Sequence, residues 1–194
     1  MLVNASSLIG CPVLSLHIGG RIATISQLYV DPNTLKIIAF RIDSVILKEA
    51  EGDILPVDSV REFSQLGVII DSVDELVNDD TVVRIKDVLK LNFTLPGLKV
   101  VTPKKSKIGK VTDFTIDITT WEVLQLIVQR PVLKAFFDPE LTIPRQAIIE
   151  VNDYQIVVKN EHENTPQTEI KSEPTPNFVN PFRKSELTVR HSSD

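Results

Sequence analysis

"IATISQLYVDPNTLKIIAFRI" (residues 22–42) governs the reading of this chain, because "IGKVTDFTIDITTWEVLQLIV" (108–128) has the same layout. Asp31 falls on Asp117, 86 positions further on. Ile25, Leu28 and Val30 fall on Val111, Phe114 and Ile116, and Ile38, Phe40 and Ile42 fall on Leu124, Leu126 and Val128. The match continues in "ILPVDSVREFSQLGVII" (54–70) and "TIPRQAIIEVNDYQIVV" (142–158), where Pro56 falls on Pro144 at an offset of 88. The second copy therefore carries two extra residues, placed most simply between Gln129 and Leu141. A repeat of this length sets the architecture before any local signal does.

Positions 38, 40 and 42 alternate, the period of a strand with one buried face. Positions 25, 28 and 30 step by three and then by two, as do 111, 114 and 116. One extra residue at the same place in both copies predicts a β-bulge, which bends a sheet toward closure. "VDPNT" (30–34) and "IDITT" (116–120) predict hairpin turns capped by the Asp31 and Asp117 side chains. Each copy then holds five or six short strands. The expected fold is all-β: two tandem small antiparallel barrels.

Between the copies, Asn78, Asp79, Asp80 and Thr81 supply helix-start chemistry, and Val82, Ile85, Val88 and Leu89 share one helical face. The expected organisation is a first barrel over 1–76, a linking amphipathic helix over 77–94 and a second barrel over 95–159. Each barrel alone is marginal at this size, which predicts shared buried surface. Residues 160–194 are polar, proline-bearing and without periodicity, the composition of a disordered tail.

The 194 residues are 42% hydrophobic and 24% charged, as in soluble globular proteins. A net charge of −5 argues against nucleic-acid binding through the field of the whole chain, though not through a local basic patch. With Cys11 as the one cysteine there is no disulfide and no cysteine-rich zinc site. The first sixteen residues lack the plan of a secretory signal, and no apolar run reaches the ~18–20 residues that span a bilayer. A cytoplasmic location is expected.

The runs "IGCPVLSL", "GGRIATISQLYVDPNTLKIIAF" and "ILPVDSV", with their echoes "LPGLKVVTPKKSKIGKVTDFTID" and "TIPRQAIIEV", resemble the PRC-barrel family. That family is named for the H subunit of the photosynthetic reaction centre and includes the ribosome maturation factor RimM. The resemblance rests on Ala23 and Gly109 before the second strand, on Asp31 and Asp117 in the hairpin, and on Leu55–Pro56 and Ile143–Pro144. Ala23 stands where the family more usually has glycine. The resemblance implies a small β-barrel that holds partners and has no shared catalytic residues. It does not carry over the ribosome role, because two barrels stand in tandem here without a separate domain ahead of a single one.

The residues themselves point the same way. His17, His162 and His191 sit in a turn and in the tail, so no nucleophile has a base and an orienter beside it. Cys11 lacks the electropositive surroundings of a reactive thiolate. Asp79 and Asp80 lack the ligand spacing of a calcium loop, and "IGG" (18–20) lacks the lysine and helix of a phosphate loop. No catalytic residue, metal site or cofactor is expected, and Asp31, Pro56, Asp117 and Pro144 are structural turn residues.

Three features rise above a plain scaffold. Lys104, Lys105, Lys107 and Lys110 crowd one hairpin, where they offer cations to RNA or a ribosome, to an acidic protein or to an anionic membrane surface. The plainer reading is a set of lysines that keep a sheet edge from pairing. Phe136 and Phe137 lie in the segment carrying the insertion. Phe178, Phe182 and Arg183 form a cluster suited to docking a partner. The expected function is a non-enzymatic protein-interaction module, with an RNA- or ribosome-associated factor and a peripheral membrane protein as alternatives. Exposed sheet edges also allow self-association.

Overall fold

The computed structural model describes residues 1–44, 46, 52–78, 83–91, 93–131 and 139–159. The first half holds β1 (Leu2–Asn4), α1 (Ala5–Leu8), β2 (Pro12–Ser15), β3 (Gly20–Asp31), β4 (Lys36–Asp43), β5 (Ile54–Pro56), β6 (Glu62–Ser64) and β7 (Gly67–Ile70). The second holds α2 (Val83–Leu91), β8 (Lys99–Val101), β9 (Lys107–Asp117), β10 (Glu122–Gln129), β11 (Glu140–Pro144), β12 (Ile148–Val151) and β13 (Gln155–Val158). The fold is mostly β, and the strands form one sheet.

The bulges expected from the apolar spacing are present. The β3–β4 register slips at Ser26, between Ile25↔Ile42 and Gln27↔Arg41. The β9–β10 register slips at Thr112, between Val111↔Val128 and Asp113↔Ile127. A second slip on each returning strand, at Ile38 and at Leu124, corrects the expected core face. Because the extra residue reverses the alternation, Ile37, Phe40 and Ile42 enter the main core while Ile38 packs with Tyr29, Ala39 and Ile54 in a smaller cluster.

Both hairpin aspartates act as anticipated. Asp31 accepts hydrogen bonds from the Asn33 amide (2.9 Å) and the Thr34 hydroxyl (2.8 Å), and Asp117 accepts one from the Thr119 amide (3.0 Å). Leu35 (φ 53°) and Trp121 (φ 57°) then close the two turns in the left-handed conformation. Pro56 and Pro144 end β5 and β11 and start the 3-10 turns Val57–Ser59 and Arg145–Ala147.

Strands pair in the order β5–β4–β3–β2–β7–β6 in the first half and β11–β10–β9–β8–β13–β12 in the second. Two corrections follow. Each half contains one parallel pair, β2 with β7 and β8 with β13, so the halves are not purely antiparallel. The sheet is also open. The 3-10 turn after each proline carries the chain from one side of its run to the other, and among the described residues β5 and β6, or β11 and β12, do not pair to close a barrel.

The halves are joined at Lys36↔Glu122, where the Ile37 amide donates to Trp121 (2.8 Å) and the Val123 amide to Leu35 (2.9 Å). They also exchange their leading segments: β1 pairs with β9, and α2 lies against β3. Leu8, Phe40, Leu95 and Leu126 belong to one continuous core, the shared burial that halves of this size require. Residues 1–160 form one compact unit. Within the stretch expected to be the linking helix, Val83–Leu91 is helical and Val77 bridges to Ile54. Asp79 and Asp80 lie outside the described residues, as do Phe136, Phe137 and the tail with Phe178, Phe182 and Arg183.

Candidate interaction surface

The β3 and β9 strands both run toward the Lys36–Glu122 junction, at Asp31 and at Asp117. Because β4 and β10 leave that junction antiparallel, the turns that start β3 and β9 lie at opposite ends of the sheet. These two matched turns differ in chemistry. Leu16–Gly19 presents Leu16 and Ile18, 55% and 48% exposed, with His17 between them. Pro103–Lys105 presents two exposed lysines and leads directly into Lys107.

Each turn is anchored by a buried hydroxyl residue. Ser15 Oγ accepts from the Ile18 amide (3.4 Å) and donates to the Asp71 carbonyl (3.3 Å). Thr102 Oγ1 accepts from the Ser106 amide (3.2 Å). Gly19 (φ 72°) and Lys105 (φ 62°) close the turns in the left-handed conformation, which glycine adopts freely and lysine only at a cost.

The lysine surface extends beyond the turn. In the β8–β9 pair, Lys99 faces Lys110 and Val101 faces Lys107, with a register slip at Ile108. Residues three apart on a regular strand point to opposite faces. The slip instead brings Lys107 and Lys110 to the same face as Lys99, while Val100 and Gly109 turn into the core. Like charges directly opposite each other across an antiparallel pair are destabilising. The corresponding face of the first half carries Pro12, Leu14, Arg21 and Thr24.

The protective-edge reading of these lysines is corrected by the topology. β8 lies between β13 and β9, and β9 between β8 and β10, so neither is an edge. Neutral side chains flank the lysines: Gln155 is opposite Lys99, and Gln129 opposite Lys110. On β9 itself Asp113, opposite Ile127, shares the face of Lys110 and is engaged by the Ser6 amide and hydroxyl. Across the neighbouring strands carboxylates begin two strands out, at Glu150 and Glu140, about 10 Å away at ordinary strand spacing.

A cavity of about 430 Å³ opens between the halves, with matched walls: Ser26 and Leu28 face Thr112 and Phe114. Its carboxylate, Asp113, already accepts from the Ser6 amide (3.1 Å) and hydroxyl (2.6 Å). Cys11 is half-buried, and burial pushes its thiol pKa up, away from the thiolate. Among the described residues there is no group of three His, Cys, Asp or Glu that could hold a metal, and no helix long and apolar enough to cross a membrane.

The lysines lie at the turn between β8 and β9, where a hairpin is expected, whereas Lys99 and the Leu16–Ile18 turn stand out only in the structure. Aligning "SLHIGGR" (15–21) with "TPKKSK" (102–107) would have exposed the contrast. Compared with known proteins, the chain matches no family model and no curated protein.

Proposed function

We propose that the chain is a non-enzymatic interaction protein built from two PRC-type halves, with a binding tip at each end. The carrying observation is that the two halves agree in their core and diverge at their tips. Ile25, Leu28, Val30 and Phe40 have apolar counterparts in Val111, Phe114, Ile116 and Leu126. At the tips, Leu16 and Ile18 stand against Lys104 and Lys105. A scaffold duplicated for packing alone has no use for exposed leucine and isoleucine at one end and clustered cations at the other.

The apolar tip suits a protein partner, since a few exposed aliphatic side chains on a rigid turn are the anchors from which interfaces draw their energy. The test uses the full chain and a Leu16→Ser/Ile18→Ser variant as baits in a native lysate. Proteins retained by the former and lost from the latter support the reading. Identical captures, or none by either bait, remove the apolar tip from it.

A further inference from the structure

We propose that the face formed by Lys99, Lys107 and Lys110, continued by Lys105, is an electrostatic docking surface for membranes rich in anionic lipid. It rests on the reading of the lysine end as a binding tip. Four observations carry it. The β-bulge at Ile108 gathers three ammonium groups on one face of β8 and β9. Lys99 and Lys110 are held directly opposite each other, a repulsion that an anion laid over them would relieve. Lys105 occupies a left-handed position that its counterpart fills with Gly19. Finally, none of Lys99, Lys105, Lys107 and Lys110 has an ion-pair partner among the described residues, and the sequence has six lysines and no carboxylate between Asp87 and Asp113.

The composition of the face selects the partner. It contains lysines and no arginine, hence no planar fork for bidentate phosphate recognition. The residues paired with or beside the lysines are Gln129, Gln155 and Thr112, none of them an aromatic on which a base could stack, and the exposed Tyr154 stands in the turn before Gln155 instead of opposite a lysine. Lysine is also depleted in the cores of protein–protein interfaces. What remains is a set of point charges on the surface of a sheet, which fits a fluid array of anionic head groups. Clusters of four to eight basic residues bind such surfaces, with each lysine contributing roughly fivefold in affinity.

The test is flotation of the full chain with vesicles of phosphatidylcholine alone and of phosphatidylcholine with phosphatidylserine, at low and at physiological salt. Binding to the serine-containing vesicles only, weakened by salt and lowered at least tenfold in Lys99→Gln/Lys107→Gln/Lys110→Gln, is the expected result. Arg21→Gln, the matched position in the other half, should leave binding unchanged. Because the triple variant removes the Lys99–Lys110 repulsion, its thermal unfolding should occur no lower than that of the unaltered chain, which separates lost binding from lost folding. The proposal is overturned by the absence of flotation at low salt or by flotation that the triple variant retains. It is also overturned if duplex RNA binds the same lysines more tightly than the vesicles do. These outcomes concern the lysine face alone, whereas the lysate captures judge Leu16 and Ile18.

Discussion

Lys36 Nζ lies 2.9 Å from Glu122 Oε1, and the two residues hold the same place in the two halves, 86 positions apart. The backbone repeats the relation: Ile37 binds Trp121 and Val123 binds Leu35, each bond the counterpart of the other. The junction is thus a local two-fold axis within one chain. Its departures from symmetry, an acid against a base and Trp121 against Leu35, let each half contribute what the other lacks. Trp121 packs edge-on against Phe40 of the first half, with ring centroids 5.3 Å apart, a contact worth about 0.5–1.5 kcal/mol beyond its buried area.

The junction should weaken in acid. The hydrogen bond and charge of Lys36 hold the Glu122 carboxyl below its ordinary range. The Thr119 amide, followed by the chain's amino terminus, does the same for Asp117. Folded pKa values below the unfolded ones, about 4.3 for Glu and 3.9 for Asp, mean stability that is fully present above those values and lost as pH falls through the folded ones. Urea midpoints should therefore drop below about pH 4, and less steeply for Glu122→Gln. Exchanging the two charges in Lys36→Glu/Glu122→Lys should restore the pair only in part, because a cation at 122 feels the Arg145 guanidinium that now assists Glu122.

Arg145 has no charged counterpart; the matching residue is Val57. Its guanidinium donates to the Leu35 (3.3 Å), Val123 (3.4 Å) and Thr34 carbonyls, so it ties both hairpins of the junction. Arg145→Met should cost about 1–3 kcal/mol in chemical denaturation, the usual penalty for stranding half-buried acceptors. Lys at 145 should recover part of that, since one ammonium cannot reach all three carbonyls at once.

Gly109 should not tolerate alanine. A Cβ there would lie 2.2 Å from the Gln129 carbonyl oxygen and 2.7 Å from a Val128 methyl group. Backbone cannot yield as a flexible side chain does, so Gly109→Ala should destabilise by about 2 kcal/mol or more and lower the melting temperature. Ala23, at the matching place, sits buried without such an obstacle. An unchanged melting temperature would refute the close approach of β9 to β10.

Lys105→Gly should stabilise the fold by about 0.5–1 kcal/mol by removing a side chain from a left-handed position. The same change should lower affinity for anionic vesicles. Opposite signs in the two measurements would identify a residue whose charge is kept at the expense of stability.

Much of this fold is legible in the chain. The matched steps of 25, 28 and 30 with 111, 114 and 116 located the Ser26 and Thr112 bulges, because an inserted residue shifts the alternation of every apolar position after it. Asp31 and Asp117 mark the hairpins because a carboxylate at the head of a turn bonds the amide two residues on, which is a local property. Ile38 was misassigned for the complementary reason. Its own bulge leaves no gap in an apolar run, so only the partner strand reveals which residue is extra.

The sequence by itself determined the long strands, the turns at Asp31 and Asp117 and the clustering of Lys104, Lys105, Lys107 and Lys110, since all of these follow from spacing within about twenty residues. The tertiary structure alone decided which strands lie side by side. It made β8 and β9 interior strands and placed Lys99 opposite Lys110. It set β1 on the far half and brought Lys36 to Glu122. Apart from the Lys99–Lys110 pair, whose register the bulge at Ile108 sets, those relations join residues far apart in the chain. They are selected by how the two halves bury one shared core, a choice that no local pattern of apolar and polar residues encodes.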